Sequence, residues 1–198
     1  MKALREGWAK KFEREDLKLY FVQLAPFIHP WYEVQLAQAA YAAEDKHAGM
    51  VTTCDIGNLH DIHPCEKGTI GKRLAALALK RDYGFEKIKA EVPVLKAAVR
   101  KENTAVLSFD NAGRWWYVYS ADRSLDVPFE LADETGKWAK AKIVNVQKSG
   151  LIDSKDLILS ADGIDKPVKV RYLYNKPWIG NVFSCWSIPI GPFESEVK

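Results

Sequence analysis

The ten residues DIGNLHDIHP, at positions 55–64 and here called the His loop, concentrate titratable side chains in one short segment. They include His60, Asp61 and His63. An imidazole has an unperturbed pKa of about 6.5, so it can accept and return a proton at neutral pH. A neighbouring carboxylate such as Asp61 can fix the tautomer of the ring and stabilise its charged form. The segment therefore predicts a proton-transfer site with His63 as the base.

Two other interpretations fit the same loop. Loops collect His, Asp and Asn because these side chains hydrogen-bond the backbone of turns, so the segment can be a turn without chemistry. His60, Asp61 and His63 are also zinc-ligand types, but their spacing matches no standard zinc motif. We expect neither a metal nor another cofactor.

The segments around the His loop predict an α/β layer. Residues 1–16 carry apolar side chains at a spacing of four, residues 31–46 are Ala-rich without Gly or Pro, and residues 65–83 show one apolar face. These patterns predict three helices. The apolar runs LKLYFVQLAPF and MVTTCDI predict buried parallel strands. Because functional loops lie at the carboxyl ends of parallel strands, the loop APFIHPW and the His loop should meet at one edge.

The sequence changes character after residue 83. Short β-type runs (TAVLSF, WWYVYS, AKIVNV, LILSA and VKVRYLY) alternate with turn signals such as DNAG and ADETGK. Strands spaced by such turns are typical of antiparallel sandwiches. We therefore predict a fold of class α/β plus β, with an α/β unit over residues 1–83 and a β-sandwich-like unit over residues 84–198.

Composition is that of a globular protein. The 198 residues are 47% hydrophobic and 28% charged, a composition that does not indicate disorder. The net charge of +3 is too small to indicate a nucleic-acid-binding protein. No apolar run is long enough for a bilayer, and the charged start MKALREGWAKKFEREDLK predicts no signal peptide on this chain. Cys54, Cys65 and Cys185 show no disulfide or zinc spacing. A disulfide between Cys54 and Cys65 is one possibility, although two buried free thiols are the simpler expectation.

The block GMVTTCDIGNLHDIHPCEKGTIGKRLAALAL resembles the final catalytic block of the sialate O-acetylesterase family. LKLYFVQLAPF is similar to the strand that precedes it in that family, and MKALREGWAKKF to the helix before that strand. The run VRYLYNKPWIGNVFSCWSIPIGPF resembles the family's C-terminal tail, so the resemblance covers essentially the whole chain. These proteins are SGNH-type esterases that remove acetyl groups from sialic acid and related sugars. The resemblance implies the C-terminal part of a three-layer α/β/α domain, followed by the β unit.

The same resemblance implies roles for the loop residues. His63 would deprotonate a serine and later protonate the leaving sugar hydroxyl. Asp61 would orient His63. Many SGNH esterases place the acid three residues before the histidine, where this chain has His60, so a backbone carbonyl or Asp55 is an alternative orienting group. Asn58 is a candidate for substrate binding.

Two further residues lie near the predicted cleft. Gln23, at the end of the first strand, is a candidate to bind substrate, and it can equally well bond the backbone there. His29 in the loop FIHPW either reaches the same cleft or faces solvent.

The nucleophile is missing from this arrangement. The family's serine lies in a Gly-Gln-Ser-Asn block, and the sequence has no such block. All nine serines lie at or beyond Ser108, and none follows a strand and opens a helix. We therefore expect a partner, an N-terminal esterase chain that carries the serine and arises from a split gene or a cleaved precursor. An exposed strand edge and bare apolar helix faces should mark the contact with it.

Other functions stay open. The aromatic run RWWYVY at residues 114–119 can stack on sugar rings, which would make the β unit a carbohydrate-binding module, although strands favour aromatics for packing alone. Trp115 and Trp116 must point to opposite faces of a strand, so at most one belongs to the core. An inactive remnant of a truncated esterase is the third possibility. The expected substrate is an acetylated carbohydrate, without nucleic acid or membrane. The assembled protein is expected to be secreted or periplasmic, with the cytoplasm as the alternative.

Overall fold

The computed structural model describes residues 1–29, 31–174 and 178–198. Pro30 and residues 175–177, the Asn-Lys-Pro of the tail motif, lie outside the described residues. The first half contains α1 (Lys2–Lys11), β1 (Leu19–Val22), α2 (Tyr32–Glu44), β2 (Ala48–Val51) and α3 (Lys67–Asp82). This element order agrees with the sequence prediction, and each helix is shorter than predicted. No helix in the described part of the chain is long and apolar enough to cross a membrane.

β1 and β2 form a parallel pair in which Leu19 lies opposite Ala48. Successive side chains of a strand point to opposite faces. Tyr20 packs with Leu77 of α3, whereas the ring of Phe21 lies 6.0 Å from that of Tyr41 in α2. The two helices therefore lie on opposite faces of the pair.

The second half contains strands only, in the part of the chain that the structure describes. They are β3 (Val94–Lys101), β4 (Thr104–Asp110), β5 (Trp116–Val118), β6 (Phe129–Ala132), β7 (Trp138–Ile143), β8 (Leu151–Ile152), β9 (Leu157–Ala161), β10 (Lys169–Tyr172), β11 (Val182–Ser184) and β12 (Phe193–Glu196). Seven form a sheet of order β12-β10-β6-β7-β9-β4-β3, and the other three form a sheet of order β11-β5-β8. All of these pairings are antiparallel.

The large sheet curls until its edge strands meet. The amide of Arg100 in β3 donates to the carbonyl of Lys198, just past β12, at 2.7 Å, and the amide of Lys198 donates to the carbonyl of Ala98 at 3.0 Å. These bonds make the sheet nearly closed and barrel-like. The neighbouring tryptophans behave as predicted: Trp116 is buried in the core, whereas Trp115 is 38% exposed.

The buried apolar side chains form two clusters. The smaller one joins Val51, Leu77 and Ala90. The larger one fills the β half, and it includes Cys54, which directly precedes the His loop. The carboxyl end of β2 is therefore packed against the β half. A domain boundary between residues 83 and 84 stays a prediction.

Candidate active site

The His loop is shaped by its own short-range hydrogen bonds. The Asn58 side chain accepts from the amide of His60 at 2.9 Å, and the Asn58 carbonyl accepts from the amide of Asp61 at 2.9 Å. Asn and Asp commonly shape turns in this way. Asn58, predicted to bind substrate, therefore has a described role within the loop itself.

Asp61 and His63 lie together at the tip of this loop. One oxygen of Asp61, Oδ1, accepts the amide of His63 at 2.9 Å and lies 3.4 Å from Nδ1 of its ring. The His63 side chain is 79% exposed and that of Asp61 is 53% exposed. Because the carboxylate is on the Nδ1 side, Nε2 is left to meet a reacting group. Such a pair can take up and release a proton.

Asp55, the alternative orienting group, is held elsewhere. Its two oxygens accept hydrogen bonds from Arg73 of α3 at 2.7 and 2.6 Å, and Arg73 also donates to the Thr52 carbonyl at 2.8 Å. Both charged side chains are largely buried. This bidentate pair fixes the start of the His loop to α3. Sequence reasoning missed Arg73, although its place on the inward face of the predicted helix, with Ile70 and Leu77, was a usable signal.

The C-terminal tail of the chain hydrogen-bonds Cys54, just after the carboxyl end of β2. The Cys54 thiol donates to the Ile190 carbonyl at 3.0 Å, and the amide of Gly180 donates to the Cys54 carbonyl at 2.7 Å. Burial, with a smaller contribution from the nearby Asp55 charge, raises the pKa of Cys54 to about 12. Cys54 and Cys65 are free thiols. The expectation of two buried thiols is wrong for Cys65, which is exposed, whereas Cys54 is buried.

The two loops expected at one sheet edge do meet. The amide of Ile28 donates to the carbonyl of Leu59 at 2.9 Å, which joins the loop after β1 to the His loop. His29 is exposed, and its ring lies 5.4 Å from that of Phe27. Its side chain makes no described contact with His63.

Gln23 is buried, with 2% of its surface exposed. Its amide nitrogen donates to the Gln35 carbonyl of α2 at 3.0 Å, and its Oε1 has no hydrogen-bond partner among the described residues. Gln23 lines a cavity of about 390 Å³ between α2 and the β half. The Gln23 side chain therefore bonds the backbone and also lies beside a cavity whose described lining does not include His63, and its role in substrate binding stays a prediction.

The tail motif connects the halves through stacked rings. The guanidinium carbon of Arg171 lies 3.8 Å from the ring centre of Trp138 and 3.7 Å from that of Tyr174, and its Nε is 2.8 Å from buried Glu130. The Tyr174 ring packs edge-on against Tyr32 of α2 at 4.7 Å. Helix α2, which follows the loop after β1, is thereby in contact with the β half.

Neither a metal cluster nor a serine that opens a helix is found in the described part of the chain. The described residues contain no group of three or more His, Cys, Asp or Glu side chains that could hold a metal ion. All serines lie beyond α3, where residues 84–174 and 178–198 form no α-helix, so none of them opens a helix. Within the described chain the candidate site contains an imidazole and a carboxylate, those of His63 and Asp61.

The fold as a whole resembles that of a carbohydrate acetylesterase from Xanthomonas citri, known from its crystal structure. The TM-score is 0.81 and the sequence identity 29%, and the match covers 98% of this chain and 44% of that chain. The chain therefore spans less than half the length of that protein. This likeness relates the chain to carbohydrate esterases. No protein-family model and no curated protein matches the sequence.

Proposed function

We propose that the chain is the C-terminal part of an SGNH-type carbohydrate O-acetylesterase, similar to sialate O-acetylesterases, that acts on acetylated sugars. The observation that carries the proposal is the contact of Asp61 with both the amide and Nδ1 of His63. The likeness to a carbohydrate acetylesterase supports the substrate class. Sialic acid as the particular sugar rests on the resemblance of the His-loop block alone.

In the proposed reaction His63 acts twice. Its Nε2 takes the proton of a serine hydroxyl as the serine oxygen attacks the acetyl carbonyl, and then gives that proton to the sugar oxygen as the ester bond breaks. A water molecule then attacks the acetyl-serine carbonyl while His63 takes its proton, and His63 returns that proton to the serine oxygen as the acyl bond breaks and acetate leaves. Asp61 stabilises the imidazolium that forms at each step. No cofactor takes part.

The serine and the oxyanion-hole donors are supplied by polypeptide outside this sequence, in a partner chain or a longer protein. One such donor typically contributes about 100- to 1,000-fold in rate. Without the serine and the oxyanion-hole donors, His63 would therefore provide only a small part of the rate acceleration.

Two exposed surfaces support the proposal that other polypeptide completes the active site. Leu4 and Trp8 of α1 and Phe12, which directly follows the helix, recur at a spacing of four and are 47%, 46% and 64% exposed. An apolar stripe of this kind is typical of a surface that another polypeptide covers.

The second surface is the parallel sheet, which contains only β1 and β2 among the described strands. At the end of β1, the Gln38 side chain accepts from the amide of Leu24 at 2.9 Å and donates to the carbonyl of Val22 at 3.3 Å. No other described strand pairs with that edge of β1, so a further strand could add there. A complete three-layer domain would continue the sheet there. For the assembled protein we propose secretion or a periplasmic location.

A carbohydrate-binding surface is the second candidate function. Tyr117 of β5 lies 6.0 Å from Trp115 and is stacked on Phe183 of β11 at 5.1 Å, with the two planes 11° apart. This partly exposed aromatic row is a surface on which sugar rings can stack. It would serve the esterase or act alone.

The test combines intact mass with an assay on p-nitrophenyl acetate, using natively purified material. We expect a second polypeptide to co-purify and His63→Ala to lower the rate about 100- to 10,000-fold, because it removes the general base. His60→Ala is the matched control, an exposed histidine of the same loop, and is expected to keep its rate.

A single 22.4 kDa species without hydrolysis would contradict the two-chain esterase and favour the inactive remnant. Equal losses in His60→Ala and His63→Ala would contradict the assignment of His63. Sugar binding by the inactive single species, lost in Trp115→Ala, would favour the carbohydrate-binding module.

A further inference from the structure

A cavity of about 360 Å³ lies between α3 and the tail of the β half. Its walls include Lys72 and Arg73 of α3, Lys89 from the segment after α3, and Trp186 and Ser187 of the tail. Neither His63 nor Asp61 lines it. Its volume is near the lower end of the range of small-molecule sites, roughly 300–1,000 Å³, and suits a single sugar ring.

The cavity carries uncompensated positive charge. Lys72 and Lys89 form no ion pair with any residue that the structure describes, and no acidic side chain is among its described lining residues. The charge of Arg73 is balanced by Asp55, so the two ammonium groups set the sign of the potential. A cleft lined by one sign of charge concentrates the opposite ion.

Trp186 is held in place at the tip of a tight hairpin. The amide of Ser187 donates to the Ser184 carbonyl at 2.9 Å, and the amide of Ser184 donates to the Ile188 carbonyl at 3.0 Å. Ser187 has a φ of 59°, as the last residue of such a three-residue loop requires. Gly113 lies behind the ring, where an added Cβ would be 3.2 Å from a ring carbon. The indole, which is 37% exposed, forms part of the cavity wall.

Lys89 and Trp186 contact each other in the lining of this cavity. The ammonium nitrogen of Lys89 lies 5.3 Å from the centre of the Trp186 ring, within cation–π range. Ser187 and Thr69, whose side chains carry hydroxyls, are also among the lining residues. A flat apolar wall, hydroxyls and a cation together match a ring that carries hydroxyls and a carboxylate.

We propose that this cavity is an accessory site for a carboxylate-bearing sugar unit, separate from the site at His63. The choice of a sugar rests on the proposed function, whereas the choice of an anion rests on the two lysines. Arg73 forms part of the cavity wall and also holds Asp55, so the accessory site adjoins the anchor of the His loop. An acidic unit bound there would tether a glycan whose acetylated unit reacts elsewhere.

The test is calorimetric titration of the chain with D-glucuronate, D-glucose and inorganic phosphate. We expect saturable binding of glucuronate only. Lys89→Met and Lys72→Met are each expected to weaken it about tenfold or more, because each removes a charge-assisted hydrogen bond. Lys87→Met, an exposed lysine outside the cavity lining, is the matched control.

Equal binding of glucose and glucuronate would overturn the role of the lysines. Phosphate binding as tight as that of glucuronate would overturn the sugar assignment, and absence of glucuronate binding would overturn the site. His63→Ala, which removes the proposed base, is expected to keep glucuronate binding. Binding without esterase activity would therefore contradict the proposed function and leave the accessory site intact.

Discussion

The two halves of the molecule differ in how far their hydrogen bonding is completed. In the β half, the seven-stranded sheet joins its own edges through Lys198, which bonds Ala98 and Arg100. Most of the buried apolar side chains lie in this half. A sheet that pairs its own edges removes the open backbone groups that invite further strands.

The α/β half is open by comparison. Its parallel sheet has two strands in the described chain, its core cluster joins Val51, Leu77 and Ala90, and the apolar stripe of α1 is exposed. Its best-fixed point is the end of β2, which is tied to the tail through Cys54.

The candidate site depends on both halves. The β half closes its own large sheet and packs against the end of β2. The His loop follows that end of β2 in the chain. The proposed base therefore follows a strand end that the β half supports, whereas the proposed nucleophile would come from other polypeptide. Substitutions in the two halves should have different consequences.

The largest effect is expected at Trp116 in the closed half. Trp116→Ala should lower the free energy of unfolding by about 4 kcal/mol, because it empties a fully buried site. It also removes the hydrogen bond from the indole nitrogen to the Lys155 carbonyl. Urea denaturation followed by circular dichroism measures the change.

Trp115→Ala is its matched control, since the neighbouring tryptophan points outward. It should change stability by less than about 1 kcal/mol, as is usual for surface substitutions. Similar losses in the two variants would show that both faces of β5 are covered and would break the distinction between core and surface there.

A smaller effect is expected at the anchor of the His loop. Arg73→Ala leaves the buried Asp55 carboxylate unpaired, which should cost about 3 kcal/mol. Hydrogen exchange should show the loss first in residues 52–64, because Arg73 fixes both Thr52 and Asp55. Arg14→Ala breaks an exposed Arg–Asp pair and should cost roughly 0–1 kcal/mol. Faster hydrogen exchange throughout the β half of Arg73→Ala would contradict the claim that the β half keeps its structure without the Arg73–Asp55 anchor.

Sequence patterns were sufficient where the interactions are local. The Asp61–His63 contact joins residues two apart, and the strand–loop–helix order around it follows from apolar runs and periodicity. The apolar runs also located β1, β2 and several strands of the β half.

Sequence patterns failed where distant segments meet. Asp55 and Arg73 are 18 residues apart, and Cys54 and Ile190 are 136 apart, so no spacing reveals them. β3 was missed because its sequence, VLKAAVRK, is Lys- and Arg-rich and mostly exposed, as is common in edge strands. Its role in closing the sheet depends on Lys198, which no local pattern indicates.

The smallest effect, and the one that probes the junction of the halves, is expected at Glu91. Its carboxylate accepts from Arg81 of α3 at 2.9 and 2.7 Å, just before the chain enters β3. Burial alone would raise its pKa, but the hydrogen bonds and charge of Arg81, with Lys80, outweigh burial and lower the pKa.

A lowered pKa in the folded state means that the unfolded chain binds the proton more readily. The stabilisation is therefore present above the unfolded pKa, about 4.3 for Glu, and is lost as the pH falls through the folded value. Glu91→Gln should cost about 2 kcal/mol at pH 7, and the gap to the unsubstituted protein should close below roughly pH 4. Glu86→Gln, which alters an exposed carboxylate nearby, should leave stability unchanged throughout. A gap that stays constant from pH 7 to pH 3 would show that Glu91 stabilises the junction by packing and not by its charge.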